Sequence, residues 1–166
     1  TEIYTLSLHD ALPICLFTID KYFGATENFF NLCINDISDG SYEINPPFID
    51  NLFIRSSDMV ISWLEQKQSD KRELLFVYIM PNWADSEGYI RLVNSRFLID
   101  EIILKEKEHY YYQSHNNKPI VSSFETHIIV IGTDLSRPKW NNNVKSSFIS
   151  QFKEGPYHHD KSISYI

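Results

Sequence analysis

Apolar and polar positions follow two different rhythms along this chain. Leu74 to Met80, LLFVYIM, is an unbroken apolar run of strand length. Such a run suits an interior parallel strand, because both of its faces must be covered. His127 to Ile131, HIIVI, has the same character and predicts a last strong strand. By contrast, Phe48, Leu52, Phe53, Met59, Val60, Trp63 and Leu64 recur near the 3.6-residue period and predict a helix over 48–67. A second helix is predicted over Ser86 to Phe97, weakened by Gly88, and a short one over 144–152. Ser41 to Ile44 reads as a short strand. Ile99 to Leu104 and Glu108 to Tyr112 also read as strands, either one bent strand or a hairpin, with a turn over His115 to Pro119. Residues 15–44 are otherwise loop and short elements, and residues 153–166 read as a frayed tail. The alternation of strand and helix predicts an α/β sheet with an antiparallel hairpin late in the chain.

Composition adds bounds. The chain has 166 residues, 43% hydrophobic and 14% aromatic, which suits one domain with a real core and argues against disorder. No apolar stretch approaches the ~20 residues that a membrane-spanning helix needs. Cys15 and Cys33 make neither a disulfide framework nor a metal pattern, and fit a reducing intracellular compartment, nucleus or cytoplasm. His158 and His159 lack a third ligand at suitable spacing, so no metal is expected. Residues 1–14, TEIYTLSLHDALPI, resemble the frame translation of a common sequencing adapter. They are expected to be a scar outside the fold. Removing its two acids, Glu2 and Asp10, takes the formal charge from −7 to −5. The authentic domain is then expected to span 15–152 as part of a longer protein.

The tetrapeptide Asn45-Pro46-Pro47-Phe48 carries the most chemistry. It follows a predicted strand and opens a predicted helix, the place where open α/β sheets bind ligands. It suits methylation of an exocyclic amine on a planar base. Such an amine is a poor nucleophile, because its lone pair is delocalised into the ring. Acceptors on its two N–H groups favour the charge that develops during attack. The Asn45 side-chain carbonyl and the Pro46 backbone carbonyl can fill that role, the prolines can stiffen the loop, and Phe48 can stack on the base. Roughly one chain in a hundred of this length carries such a tetrapeptide by chance. An ordinary Pro-Pro turn and a proline-rich ligand for a WW module are the bland alternatives. Ile49 stands where such a ligand would carry Tyr.

At these residues the chain resembles the phosphorylated-CTD-interacting factor family, the cap-specific adenosine methyltransferases. The family's Gly-Ser-aromatic-Glu-x-Asn-Pro-Pro-Phe run is similar to Gly40 through Phe48. Asp20-Lys21-Tyr22-Phe23-Gly24, Pro81-Asn82-Trp83, Ser95-Arg96-Phe97, Leu104 with Glu108-His109 and Tyr111, and Lys139-Trp140 are similar to further family stretches. The resemblance implies the carboxyl-terminal half of a Rossmann-like methyltransferase sheet. It also implies S-adenosylmethionine as methyl donor, and capped mRNA as substrate, methylated on the 6-amino group of the cap-adjacent adenosine. Carried over, Asn45, Pro46, Pro47 and Phe48 are the catalytic loop, and Tyr22, Phe23, Gly24 and Glu43 are candidates near the cofactor. Trp83, Glu108, His109 and Tyr111 are candidates for the substrate. The RNA polymerase II tail would be a partner through a WW module outside this chain. Tyr42 replaces the family's usual Phe, and Tyr110 and Tyr112 stand where the family often has charged residues. No Gly-rich cofactor loop is visible.

Other readings stay open at this point. His109 and Tyr111 share a face of one strand and could line a groove or pack in an edge cluster. Trp83 could stack on a base or cap the core. Lys67, Lys71 and Arg72 read as a solvated helix end. A non-catalytic RNA-binding or scaffold remnant, or methylation of adenine in another nucleic acid, are the functional alternatives. The first strand is expected to present an unpaired edge, leaving the chain poorly soluble or marginally stable alone.

Overall fold

Each long apolar run becomes an interior strand, because the helices around it cover both faces. The computed structural model describes residues 29–45, 49–112 and 119–153. Two short 3-10 turns, Phe29–Asn31 and Ile34–Asp36, lead into β1 (Gly40–Ile44). Then come α1 (Asp50–Ser69), β2 (Leu74–Pro81), α2 (Glu87–Val93), β3 (Leu98–Leu104), β4 (Tyr110–Tyr112), β5 (Pro119–Val121), β6 (Thr126–Gly132) and α3 (Asn142–Lys153). The main sheet has the order β1-β2-β6-β3, and β4 with β5 forms a separate two-stranded unit. The chain is therefore a mixed α/β structure.

β1 and β2 pair in parallel through the crossover helix α1, while β6 runs antiparallel to both β2 and β3. LLFVYIM is an interior strand as expected, but parallel on one side only. All eight residues of β2 except Pro81 are buried, as are all seven of β6. One face packs Phe76, Tyr78, Met80, Ile129 and Ile131 against Phe53, Val60, Trp63 and Leu64 of α1 and Leu92 of α2. The other packs Leu75, Val77, Ile79, Ile128 and Val130 against Trp140 and Phe148. The period-2 alternation of strands β2 and β6 thus splits one apolar run between two cores.

Other expectations need correction. The strands over 99–104 and 108–112 are neither one bent strand nor a hairpin with each other. β3 joins the main sheet through β6, and β4 pairs with β5, a strand the sequence reading missed. The second helix ends at Val93, not Phe97, because Asn94 and Ser95 turn the chain into β3. The basic group after α1 is not simply solvated. Lys67 is buried, with Nζ donating to the Ile37 carbonyl at 2.8 Å, and Arg72 Nε donates to Asp39 at 2.7 Å. These cations tie the segment before β1 to the end of α1. Gly40 starts β1 at φ 151°, a conformation that glycine alone adopts without strain. Among the described residues β1 is an edge strand. No described helix is long and apolar enough to cross a membrane.

Several polar ties hold the carboxyl-terminal segment to the sheet. Trp140 Nε1 donates to Asp100 Oδ2 at 2.8 Å, and Lys145 Nζ meets the same oxygen at 2.7 Å, which docks α3 on β3. Lys139 pairs with Glu73. Arg137 donates to the carbonyls of Leu98 and Arg96 at 3.0 and 2.9 Å.

Candidate functional site

The sheet directions decide where the site lies. β1 and β2 are parallel, and β3 runs the same way because β6 is antiparallel to both β2 and β3. Their carboxyl ends therefore meet at one edge. Pro81 and Leu104 both pair with Thr126, the first residue of β6. Asn45 leaves β1 at this edge, as the tetrapeptide predicts. Asn82 is held there by its backbone N–H on the Glu125 carbonyl at 3.0 Å and its Nδ2 on Glu125 Oε2 at 2.9 Å.

A cleft of about 340 Å³ opens at this edge, lined by Asn45, by Ile79 and Met80 of β2, by Tyr111 of β4, and by residues 120–124. Its accessible lining is mostly apolar, with Asn45, Tyr111, Ser122 and Ser123 supplying the polar groups. The Tyr111 and Phe124 rings pack against each other in a tilted arrangement, centroids 5.6 Å apart and planes 30° apart. The structure thus brings Asn45 together with Tyr111, residues 66 positions apart in the chain by their numbers. Burial pushes the Tyr111 phenol above its ordinary range, opposed by its hydrogen bond with Thr126.

The remaining sequence candidates fall in several places. His109 is fully buried, its ring nitrogens 2.9 Å from the Lys105 carbonyl and 2.8 Å from Thr126 Oγ1. It packs edge-on against Tyr111 at 5.5 Å, so the shared face of this strand is a packed cluster from which Tyr111 reaches the cleft. Glu108 is exposed in the turn before β4. Trp83 is half-buried just beyond β2, its ring 5.9 Å from that of Phe53, where it covers the core. Glu43 is solvent-accessible on β1, but the protein around it partly desolvates its carboxyl and raises its pKa above the ordinary carboxylate range. Pro46, Pro47 and Phe48 lie outside the described residues, as do Tyr22, Phe23 and Gly24 and the adapter-like segment. Ile49 and Asp50, just after the tetrapeptide, are anchored. Ile49 is extended and its carbonyl accepts the first helical N–H groups, while Asp50 accepts from Ser86 Oγ at 2.6 Å. Ser86 also caps α2 by accepting from the Gly88 N–H.

The sequence reading missed Phe124, Ser122 and Ser123 in the cleft and Thr126 beneath it. A signal existed in part: Ile120 and Val121 after Pro119 have strand character. Their partner strand, and so the loop that follows, could not be read from spacing alone. Among the described residues no cluster of His, Cys, Asp and Glu could hold a metal ion.

The family model described as the phosphorylated CTD interacting factor 1 WW domain matches residues 14–114, more than half of the chain. That description names a WW domain, whereas the described part of the matched segment holds two parallel strands joined by a 20-residue helix. No curated protein matches the chain.

Proposed function

The chain belongs to the phosphorylated CTD interacting factor 1 family, and from that premise we propose that it is the carboxyl-terminal part of an RNA adenosine methyltransferase. Its substrate would be the cap-adjacent adenosine of mRNA, methylated on the 6-amino group. The observation that carries this reading is the position of Asn45 at the carboxyl ends of parallel strands, facing a cleft walled by Tyr111 and Phe124.

A planar base fits such a cleft, because apolar and aromatic walls favour a flat ring while a few polar groups orient it. Asn45 would accept one N–H of the amine through its side-chain carbonyl, and Pro46 the other through its backbone carbonyl. Two acceptors on one amine favour the positive charge that grows on nitrogen as its lone pair attacks. Phe48 would stack on the base, worth ~1–3 kcal/mol in comparable sites. S-adenosylmethionine would supply an electrophilic methyl group. Tyr22, Phe23, Gly24 and Glu43 would hold it. Glu43 is the one of these that is described, and an exposed carboxylate at the edge of β1 suits a ribose hydroxyl or an ammonium group. The fit is therefore reasonable for that residue.

The test uses the full-length protein, capped RNA beginning with 2′-O-methyladenosine, and labelled S-adenosylmethionine. Asn45→Ala is expected to abolish methyl transfer while leaving donor affinity within about threefold. Near-wild-type turnover in that variant would sink the catalytic assignment.

The family description favours a second reading, a non-catalytic scaffold that contacts the phosphorylated polymerase tail. It predicts that the wild-type protein binds a phosphorylated tail peptide, transfers no methyl group, and is indifferent to Asn45→Ala.

A further inference from the structure

The Lys105 carbonyl receives two donors, the Glu108 backbone N–H at 3.2 Å and His109 Nδ1 at 2.9 Å. A carbonyl can only accept, so Nδ1 of His109 carries the proton. In the neutral tautomer that this fixes, Nε2 is an acceptor for the single hydroxyl proton of Thr126, 2.8 Å away. Thr126 has no proton left for Tyr111. The Tyr111 hydroxyl, 2.5 Å away, must therefore donate to Thr126 Oγ1. The bonds run in one direction, from Tyr111 to Thr126 to His109 to the Lys105 carbonyl.

The members of this chain differ in exposure. His109 and Thr126 are 0% exposed and line no part of the cleft, whereas Tyr111 is half-buried and does. The turn that presents the Lys105 carbonyl is itself held in an unusual shape. Lys107 adopts φ 63°, in the left-handed region, and its N–H donates to the Ser122 carbonyl at 2.8 Å. Such a conformation persists where the surroundings over-determine it. β4 and β5 are each only three residues long, so their own ladder gives Tyr111 little rigidity.

We propose that His109 and Thr126 are positioning residues for Tyr111, tethering its hydroxyl so that its ring stands as a fixed wall of the Asn45 cleft for a planar heteroaromatic base. The tether acts by preorganisation, since a ring already held in place loses less freedom when a ligand stacks on it. It also consumes the one proton the phenol could donate. The ligand would meet the Tyr111 ring and not a phenol donor. The identity of the base as adenine rests on the methyltransferase reading.

The test titrates the full chain with adenosine by NMR. Tyr111→Phe keeps the ring and removes only the tether, and is expected to bind adenosine about threefold to tenfold more weakly while still unfolding cooperatively, its melting temperature lowered by no more than a few degrees. Thr126→Val is expected to show the same loss, and Thr126→Ser to restore affinity to within about twofold. In the unliganded wild type, a slowly exchanging Tyr111 hydroxyl proton close to the Thr126 methyl group is the expected signature. Its absence would overturn the proposal. Equal adenosine affinity in wild type and Tyr111→Phe would overturn the tether and leave the substrate reading standing. No adenosine binding by the wild type at about 10 mM, a concentration that detects even very weak binding, would overturn the substrate reading and this role together.

Discussion

Gly88→Ala pits two opposing effects against each other at one atom. Gly88 lies in the first turn of α2, where the sequence reading treats it as a helix-weakening residue. On propensity alone, alanine should stabilise a helix by about 1 kcal/mol. The structure reverses the sign. A Cβ at position 88 would stand 2.8 Å from Phe53 Cδ1, 3.0 Å from Phe53 Cγ and 3.1 Å from the Ile54 backbone nitrogen. The Phe53 ring cannot swing aside, because it is 0% exposed and packed near Tyr78 and Trp83. The backbone nitrogen cannot move without α1. Overpacking of this kind costs about 1–3 kcal/mol, and three contacts including backbone place it in the upper half. The net expectation is a loss of about 1–2 kcal/mol, or a melting temperature lower by about 2–8 °C for a domain of this size. Urea unfolding followed by circular dichroism reads the difference through the midpoint at constant slope. A raised midpoint in Gly88→Ala would refute the close-approach argument. Adding Phe53→Leu should relieve part of the clash, so the two substitutions should couple and not simply add.

The remaining expectations concern the ties and the buried histidine. His127 is 3% exposed, and its Nδ1 makes no hydrogen bond among the described residues. Burial lowers its pKa, opposed by Glu101 at 3.7 Å and by Glu125. The folded state therefore binds fewer protons than the unfolded state below about pH 6.5. Stability should fall as pH drops through 6.5 toward the folded value, and His127→Leu should flatten that slope in urea midpoints between about pH 7 and 5. Asp100 is also buried enough to raise its pKa, but the bonds from Lys145 and Trp140 prevail and hold it below 3.8. Its stabilising effect should be present above pH 3.8 and be lost as pH falls through its folded value. Asp100→Ala should cost about 1–3 kcal/mol at pH 7, read by denaturant unfolding. Lys67→Met should cost about 1–3 kcal/mol in the same assay, because it leaves the Ile37 carbonyl buried without its Nζ partner. An unchanged midpoint would show that the carbonyl finds another donor.

Hydropathy rhythm by itself determined the parts that depend on local burial. Continuous apolar runs marked β2 and β6 because interior strands must be covered on both faces, and the 3.6 period marked α1 because one helical face must be covered. It also located Asn45 at a strand end followed by a helix, and so at the carboxyl edge of the sheet. Only the tertiary structure decided what depends on contacts between distant residues. Periodicity says which face a side chain takes but not which strand it meets, so β3 found β6 and β4 found β5. Lys67 looked like a solvated helix end, and became a buried tie because a carbonyl 30 residues earlier lies within reach. Thr126 stands just outside the strand predicted over His127 to Ile131 and carries no signal of its own. It became the link between His109 and Tyr111 because β6 begins where β2 and β3 end. Hydrogen bonds join groups that the fold brings within about 3 Å, whatever their separation along the chain, and that proximity leaves no mark in the pattern of hydrophobic and polar positions.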